Sequence, residues 1–185
     1  MKYKQQLLLV VSIVFISTAC ISCNQNKRKI RQTLRAFEKT EISFPDDLIC
    51  IRDGRSSIAR IPKEAAILIH FVSPEECSEC IISHISEESS LFELGRETGS
   101  FEYMIILSPT YENSESVINR LYHEHFPYPV FWDSNGSFNR INNIPQAPQF
   151  HTFLINESRR PVFVGNPLVN ETLMKLFHDV LSTMQ

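Results

Sequence analysis

A nearly unbroken apolar run at residues 65–72 is the strongest feature of the hydrophobic pattern, and His70 is the one polar residue in it. A run of this length without alternation predicts a strand that is buried on both faces. Further along, apolar residues fall at positions 81, 82, 85, 91, 92 and 94, which is closer to helical spacing than to alternation. The pattern therefore predicts a core strand over 65–72 and a helix over about 77–94.

The rest of the chain alternates between extended and helical patterns. An N-terminal helix within 24–40 and one extended element over 42–51, ending at Asp53-Gly54, come before the core strand. Strands are predicted at 101–107, 128–132, 150–156 and 161–165. Helices are predicted at 114–126 and at 170–183, and a short helix after the strand at 128–132 extends to about residue 143. Strands alternating with helices predict a parallel half-sheet, and the tight turn at 157–160 adds an antiparallel hairpin. The expected fold is therefore α/β, with a mixed central sheet flanked by helices and an N-terminal extension.

The first nineteen residues have the pattern of an export signal. Lys2 and Lys4 precede an apolar run at 7–16, and the small residues 17–19 follow it. A basic start, a short apolar run and a small-residue site are typical of a signal peptide, and a run of ten residues is too short for a membrane span. We therefore expect residues 1–19 to be a signal peptide.

The next residue is a cysteine, and this suggests lipidation. The run Ser-Thr-Ala-Cys at 17–20 resembles the lipobox of bacterial lipoproteins, in which cleavage precedes a cysteine that carries the lipid. We expect the lipid on Cys20. Cys23 is the alternative lipidation site, and secretion without a lipid is the alternative route.

Charge is distributed unevenly along the chain. Residues 20–40 hold six Lys or Arg and one acid, whereas residues 41–185 hold ten Lys or Arg and twenty Asp or Glu. We expect residues 20–41 to form a basic tether, which either contacts anionic lipid headgroups or is simply solvated. Residues 42–185 have the length of one domain. Their acidity, together with the export signal, argues against nucleic acid as a partner.

Two of the five cysteines have an informative spacing. Cys77 and Cys80 lie where the core strand is expected to give way to a helix, whose N-terminus favours a thiolate. Such a thiolate attacks a disulfide, and the second cysteine, one turn on, resolves the mixed disulfide. We therefore predict a redox dithiol with Cys77 attacking and Cys80 resolving. A structural disulfide and a metal site remain alternatives. Cys50 is expected to be a small buried residue.

Ionisable side chains surround the two thiols in the sequence. Glu75, Glu76 and Glu79 are like charges that raise a thiol pKa, and a less stable thiolate makes the couple more reducing. We therefore assign Glu76 and Glu79 a redox-tuning role. His84 lies on the same helical face as Cys80 and is a conceivable third metal ligand, but we expect it on a flank and predict no metal.

Several motifs, taken in order, resemble the membrane-anchored, exported thiol–disulfide oxidoreductases of the TlpA/ResA type. These enzymes belong to the thioredoxin-like superfamily, and the resemblance is in particular to their small bacterial lipoprotein version. The resemblance covers about residues 42–184 and implies a thioredoxin-like fold with no cofactor. It is carried by the strand-CxxC-helix at 65–94, by Tyr-Pro-Val-Phe-Trp-Asp at 128–133, by His-Thr-Phe-Leu-Ile-Asn at 151–156, and by Val-Gly-Asn-Pro-Leu at 164–168.

The chain departs from that family at two positions. The family has an aromatic residue before the first cysteine, where this chain has Glu76. It also has a cis-proline directly before Thr-Thr-Phe, where this chain has Phe150; either Pro148, two residues earlier, takes that role or the role is absent. The resemblance places the substrate-binding loop at Pro148, Phe150 and His151, with His151 a candidate to face the thiols.

These features predict a lipid-anchored thiol–disulfide oxidoreductase of the cell envelope, facing the periplasm. A reductase that cycles the Cys77–Cys80 dithiol is expected, with disulfide-bearing exported client proteins and a membrane thiol donor as its partners. The alternative is a non-catalytic, thioredoxin-fold binding or assembly lipoprotein with a structural Cys77–Cys80 disulfide. The missing aromatic residue and the displaced proline favour that alternative.

Overall fold

The computed structural model describes residues 25–63, 65–76, 82–83, 85, 87–110, 112–123 and 125–184. The chain divides into two contact units, Met1–Ala36 and Phe37–Gln185. A largely exposed helix, α1, covers residues 25–37. No helix within the described residues is long and apolar enough to cross a bilayer. The signal peptide and several predicted site residues lie outside these ranges, namely Cys20, Cys23, Cys77, Glu79, Cys80 and His84.

The second unit contains a single mixed sheet. Its strands within the described residues are β1 (Ile49–Arg52), β2 (Arg55–Ile58), β3 (Ile67–Val72), β4 (Glu102–Leu107), β5 (Val130–Trp132), β6 (Thr152–Ile155) and β7 (Pro161–Val164). They lie in the order β2-β1-β5-β4-β3-β6-β7. The apolar run therefore forms a strand inside the sheet.

Strand β3 joins the parallel and antiparallel parts of the sheet. It pairs in parallel with β4, from Ile67 opposite Glu102 to Val72 opposite Leu107, and β4 pairs in parallel with β5. On its other side β3 pairs antiparallel with β6, and β6 forms a hairpin with β7. All six residues of β3 are buried. This order and these directions confirm the expected thioredoxin-like fold with its terminal hairpin.

The helices of the second unit whose bounds lie within the described residues are α2 (Ser89–Thr98), α3 (Ser114–His123), α4 (Ser137–Asn142) and α5 (Glu171–Met184). The helix expected over 77–94 is not continuous: residues 82–83 are helical, residues 85, 87 and 88 lie in a turn, and α2 continues to Thr98. Before it, the amides of Glu88 and Leu91 bond to carbonyls three residues back, which is turn geometry. Ile82 and Ile85 are both buried, so their helical spacing reflected burial and not one continuous helix.

The extended element expected over 42–51 is also wrong in part. The structure has no regular strand at 40–48; β1 begins at Ile49, and a second strand, β2, follows after the turn. Asp53 and Gly54 form that turn with φ angles of 52° and 68°, and such a pair of positive values suits a two-residue hairpin. The pattern did not indicate β2 because its four residues are all exposed, which leaves no buried face to produce alternation.

Candidate functional site

The carboxyl ends of β3, β4 and β5 meet at one edge of the sheet. Ser73, Ser108 and Asp133 follow these strands, and all three are buried. The Ser108 amide donates to the Val72 carbonyl at 3.0 Å, so the neighbouring strand ends stay in register. In open α/β sheets, ligands bind outside the carboxyl ends of the strands. This edge is therefore the candidate site. Ser73, the first residue after β3, lies four positions before Cys77 in the sequence.

Asp133 closes one side of this edge. Its carboxylate accepts hydrogen bonds from the Ser108 hydroxyl at 2.6 Å and from the Ser137 and Phe138 amides at 2.9 and 3.0 Å. These amides belong to the first turn of α4, where free N–H groups need acceptors. In the sequence Asp133 stood out only as the last residue of the motif at 128–133. In the structure this residue fastens α4 to the ends of β4 and β5.

A turn from Ser73 to Glu76 carries the chain from β3 towards Cys77. The Glu76 amide donates to the Ser73 carbonyl at 3.0 Å, and the Ser73 amide donates back to Oε2 of Glu76 at 2.9 Å. Main chain and side chain therefore close the same turn. The Glu76 carboxylate is held in place immediately before Cys77 in the chain.

His151, just before β6, lies against this turn. Its Nδ1 is 2.7 Å from Oε2 of Glu76, and its Nε2 donates to the Pro145 carbonyl at 3.1 Å. The Phe71 amide donates to the His151 carbonyl, and the two rings meet edge to face at 5.5 Å. His151 is buried, with 4% of its surface exposed. The loop before β6 is thus joined to the end of β3.

The hydrogen bonds define the charges of this pair. A carbonyl only accepts, so Nε2 of His151 carries a proton. Burial raises the pKa of Glu76, but the hydrogen bonds from His151 and from the Ser73 amide outweigh it and hold the pKa below its usual value. With Glu76 ionised, Nδ1 also carries a proton. Glu76 and His151 therefore form an ion pair with a net charge of zero.

This pairing corrects one expectation about the site. The sequence predicted three uncompensated carboxylates around the thiols. In the structure Glu76 is balanced by His151, whereas Glu75 is exposed. The sequence gave no signal for this pairing, because Glu76 and His151 are 75 residues apart. The sequence suggested only that His151 was a candidate to face the thiols.

The other two residues of the predicted substrate loop are placed differently. Pro148 begins a 3-10 helix, Pro148–Phe150, and is exposed, while Phe150 is buried. All peptide bonds among the described residues are trans, so Pro148 does not take the role of the family's cis-proline here. Of the three loop residues, it is His151 that bonds to Glu76.

A second polar cluster lies on the other face of β3. His70 and Phe71 are adjacent in the strand and point to opposite faces. Nδ1 of His70 is 2.9 Å from Oε1 of Glu88, and the Tyr103 hydroxyl donates to Oε2 of the same carboxylate. His70 is buried, and its imidazole has a partner in Glu88. Its partners Glu88 and Tyr103 were not predicted, since only the packing of α2 and β4 against β3 brings them together.

Electrostatics within this second cluster favour an ionised carboxylate. Burial raises the pKa of Glu88, but the hydrogen bond and charge of His70, with a further bond from Tyr103, lower it overall. Burial and the neighbouring carboxylate raise the Tyr103 pKa well above its usual value, so its hydroxyl keeps its proton and donates. The cluster is therefore a satisfied buried network.

Cys50 is the one cysteine among the described residues. Cys50 lies half-buried on β1 as a free thiol, and burial raises its pKa. A raised pKa keeps a thiol protonated and unreactive at neutral pH. Within the described ranges, no three His, Cys, Asp or Glu side chains converge on a point that could hold a metal ion.

No protein-family model and no curated protein sequence matches the chain. The solved structures that are similar to the chain include the following three. A thioredoxin-like protein from Porphyromonas gingivalis has 18% identity and a TM-score of 0.48, with coverage of 79% of this chain and 94% of that one. A hypothetical protein from Sinorhizobium meliloti has 17% identity and a TM-score of 0.49, with coverage of 80% and 90%. The pneumococcal exposed lipoprotein thioredoxin from Streptococcus pneumoniae has 15% identity and a TM-score of 0.43, with coverage of 63% and 85%.

Proposed function

We propose that this protein is an exported, lipid-anchored thiol–disulfide oxidoreductase that reduces client disulfides with Cys77 and Cys80. One observation carries the proposal. The Cys-x-x-Cys motif follows directly on the hydrogen-bonded turn Ser73–Glu76, at the carboxyl end of β3 in a thioredoxin-like sheet. That is the edge at which an α/β sheet presents its chemistry.

The proposed reaction transfers two electrons and two protons. The Cys77 thiolate attacks one sulfur of the client disulfide, which forms a mixed disulfide and releases the other client sulfur as a thiolate that takes up a proton. Cys80 then loses its proton and attacks the Cys77 sulfur. The mixed disulfide breaks, the Cys77–Cys80 disulfide forms, and the second client sulfur leaves and is protonated. A membrane dithiol donor returns the pair to the reduced state.

We assign the reducing direction from the acids of the motif. A carboxylate close to a thiolate raises the thiol pKa, and a less stable thiolate favours the disulfide form of the couple. Glu75 and Glu79 flank Cys77 in the sequence, and the charge of Glu76 is offset by His151. Equilibration with a dithiothreitol buffer measures the potential, which we expect near the thioredoxin range of about −270 mV, not the oxidising DsbA range of about −120 mV.

Trapping of clients tests the reaction itself. Cys80→Ala leaves the attacking thiol without its resolving partner, so it should accumulate mixed disulfides with clients, whereas Cys77→Ala should not. Cys50→Ala is the matched control, because Cys50 lies on β1 and should leave both activity and trapping unchanged. If purified protein fails to reduce a model disulfide and neither variant traps a client, the binding-lipoprotein alternative stands.

A further inference from the structure

We propose that His151 is a positioning residue for the thiol chemistry, and that it sets the ionisation of Cys77 through the charge of Glu76. The inference rests on the proposed function in so far as Cys77 is the reacting thiol. His151 and Glu76 are joined at 2.7 Å in a mostly buried setting, with side chains 5% and 24% exposed. Cys77 is the next residue after Glu76 in the sequence.

The pair has fixed partners on both sides. The Ser73 amide holds Glu76, and the Pro145 carbonyl holds the far nitrogen of His151. Both are neutral main-chain groups. The Phe71 ring packs on the imidazole and is neutral as well. The ring and the carboxylate therefore cannot turn apart without losing a hydrogen bond at each end.

Other ionisable groups near the pair are engaged elsewhere or exposed. His70, next to Phe71 in β3, points to the opposite face and bonds to Glu88. Asp133 accepts from the first turn of α4. Glu75 is exposed, and Glu79 lies outside the described residues. Within the part of the chain that the structure describes, His151 is thus the cation that balances Glu76.

A charge count gives the direction of the effect. In the wild type the pair adds a net charge of zero beside Cys77. Removing the histidine charge leaves the Glu76 carboxylate unbalanced, and a negative charge raises a thiol pKa. Removing the carboxylate charge leaves the pair with a net charge of zero or plus one, which does not raise the thiol pKa. Replacing both by amides restores zero, so the double variant should return towards the wild type.

The choice of variants separates charge from hydrogen bonding. His151→Asn places an amide nitrogen near the position of Nδ1, so it keeps a donor towards Glu76 and loses the charge. His151→Gln places its amide near Nε2 and loses both the charge and that donor. Glu76→Gln removes the negative charge at nearly constant volume. His125→Gln is the control, because His125 is exposed and its Nδ1 lies 3.8 Å from Oδ1 of Asp53, in the β1–β2 turn.

The measurement is the rate of Cys77 alkylation by iodoacetamide as a function of pH, followed by peptide mass spectrometry on reduced full-length protein. We expect the midpoint to rise by about one pH unit in His151→Asn and in His151→Gln, because the unbalanced charge of Glu76 lies on the residue next to Cys77 in the chain. The midpoint should stay or fall in Glu76→Gln. In the double variant, Glu76→Gln with His151→Asn, it should lie near the wild-type value, and in His125→Gln it should not move.

Unchanged midpoints in both His151 variants, or a double variant shifted as far as His151→Asn, would overturn the inference. If circular dichroism shows that both His151 variants are unfolded, Glu76→Gln decides, since an upward shift there contradicts the charge count. The client-reduction assay is scored separately. Shifted midpoints without client reduction refute only the proposed function, and client reduction without shifted midpoints refutes only the role of His151.

Discussion

Glu88, at the start of α2, lies 2.9 Å from Nδ1 of His70 on the central strand. The pair formed by Glu76 and His151 lies at the other end of the chain segment between residues 77 and 87. This segment is therefore joined to the sheet at each end by a glutamate–histidine pair. One pair lies on each face of β3. The segment that carries the two cysteines is thus bounded by two polar contacts that local sequence patterns do not indicate.

The Glu88 contact predicts an acid-sensitive contribution to stability. The pKa of Glu88 is lower in the folded state than the 4.5 of an ordinary glutamate, so its stabilisation is complete above that value and is lost as the pH falls through the folded pKa. Glu88→Gln should lower the free energy of unfolding at pH 7 by about 1–3 kcal/mol, because His70 and Tyr103 lose a charged acceptor. Urea unfolding at pH 7 and at pH 3 measures both effects.

The matched control for Glu88 is Glu157, an exposed carboxylate in the turn between β6 and β7. Glu157→Gln should change stability by less than about 0.5 kcal/mol. The difference between wild type and Glu88→Gln should narrow as the pH falls. A difference of the same size at both pH values would contradict the assignment.

Gly95 offers a test of how closely α2 packs on the sheet. A Cβ added at Gly95 would lie 2.7 Å from the carbonyl oxygen of Phe101, which is main chain and cannot turn aside. Alanine within a helix normally stabilises by about 1 kcal/mol over glycine. Here the clash should reverse the sign, and Gly95→Ala should destabilise by about 1–3 kcal/mol. Ser90→Ala, at an exposed position of the same helix, is the control and should be neutral or slightly stabilising.

Chemical denaturation of these two variants decides the point. If Gly95→Ala were as stable as the wild type, α2 would have to lie farther from Phe101 than it does in the structure. The turn that carries Glu88 into the His70 cluster would then be in question as well, since Gly95 and Glu88 belong to the same stretch of chain.

The proposed membrane attachment rests on Cys20, which lies outside the described ranges. If Cys20 carries the lipid, Cys20→Ser should block processing and move the protein from the membrane fraction to the soluble fraction, because a serine hydroxyl cannot take the place of the lipidated thiol. Cell fractionation with immunoblotting measures both changes. Cys23→Ser is the matched control and should behave as the wild type. The reverse result would assign the lipid to Cys23.

Much of the fold could be predicted from local patterns, because those patterns record burial. The run at 65–72 has nearly no polar residue, and it forms a fully buried strand, β3. The final hairpin and α5 also lie close to their expected positions, since turn residues and helical spacing are local signals. Burial patterns failed where they were absent, as in the exposed β2, or where the buried residue lies in a turn, as at Ile85.

The sequence by itself determined the type and place of the candidate chemistry, namely two cysteines directly after a core strand and an acid beside them. The tertiary structure decided the partners. Glu76 meets His151 across 75 residues, and Glu88 meets Tyr103 and His70 across 15 and 18. A local pattern states that a polar residue is buried but not which distant group satisfies it. Only the packing of β6 and α2 against β3 pairs Glu76, one acid of the predicted cluster, with His151, and brings Glu88 to His70.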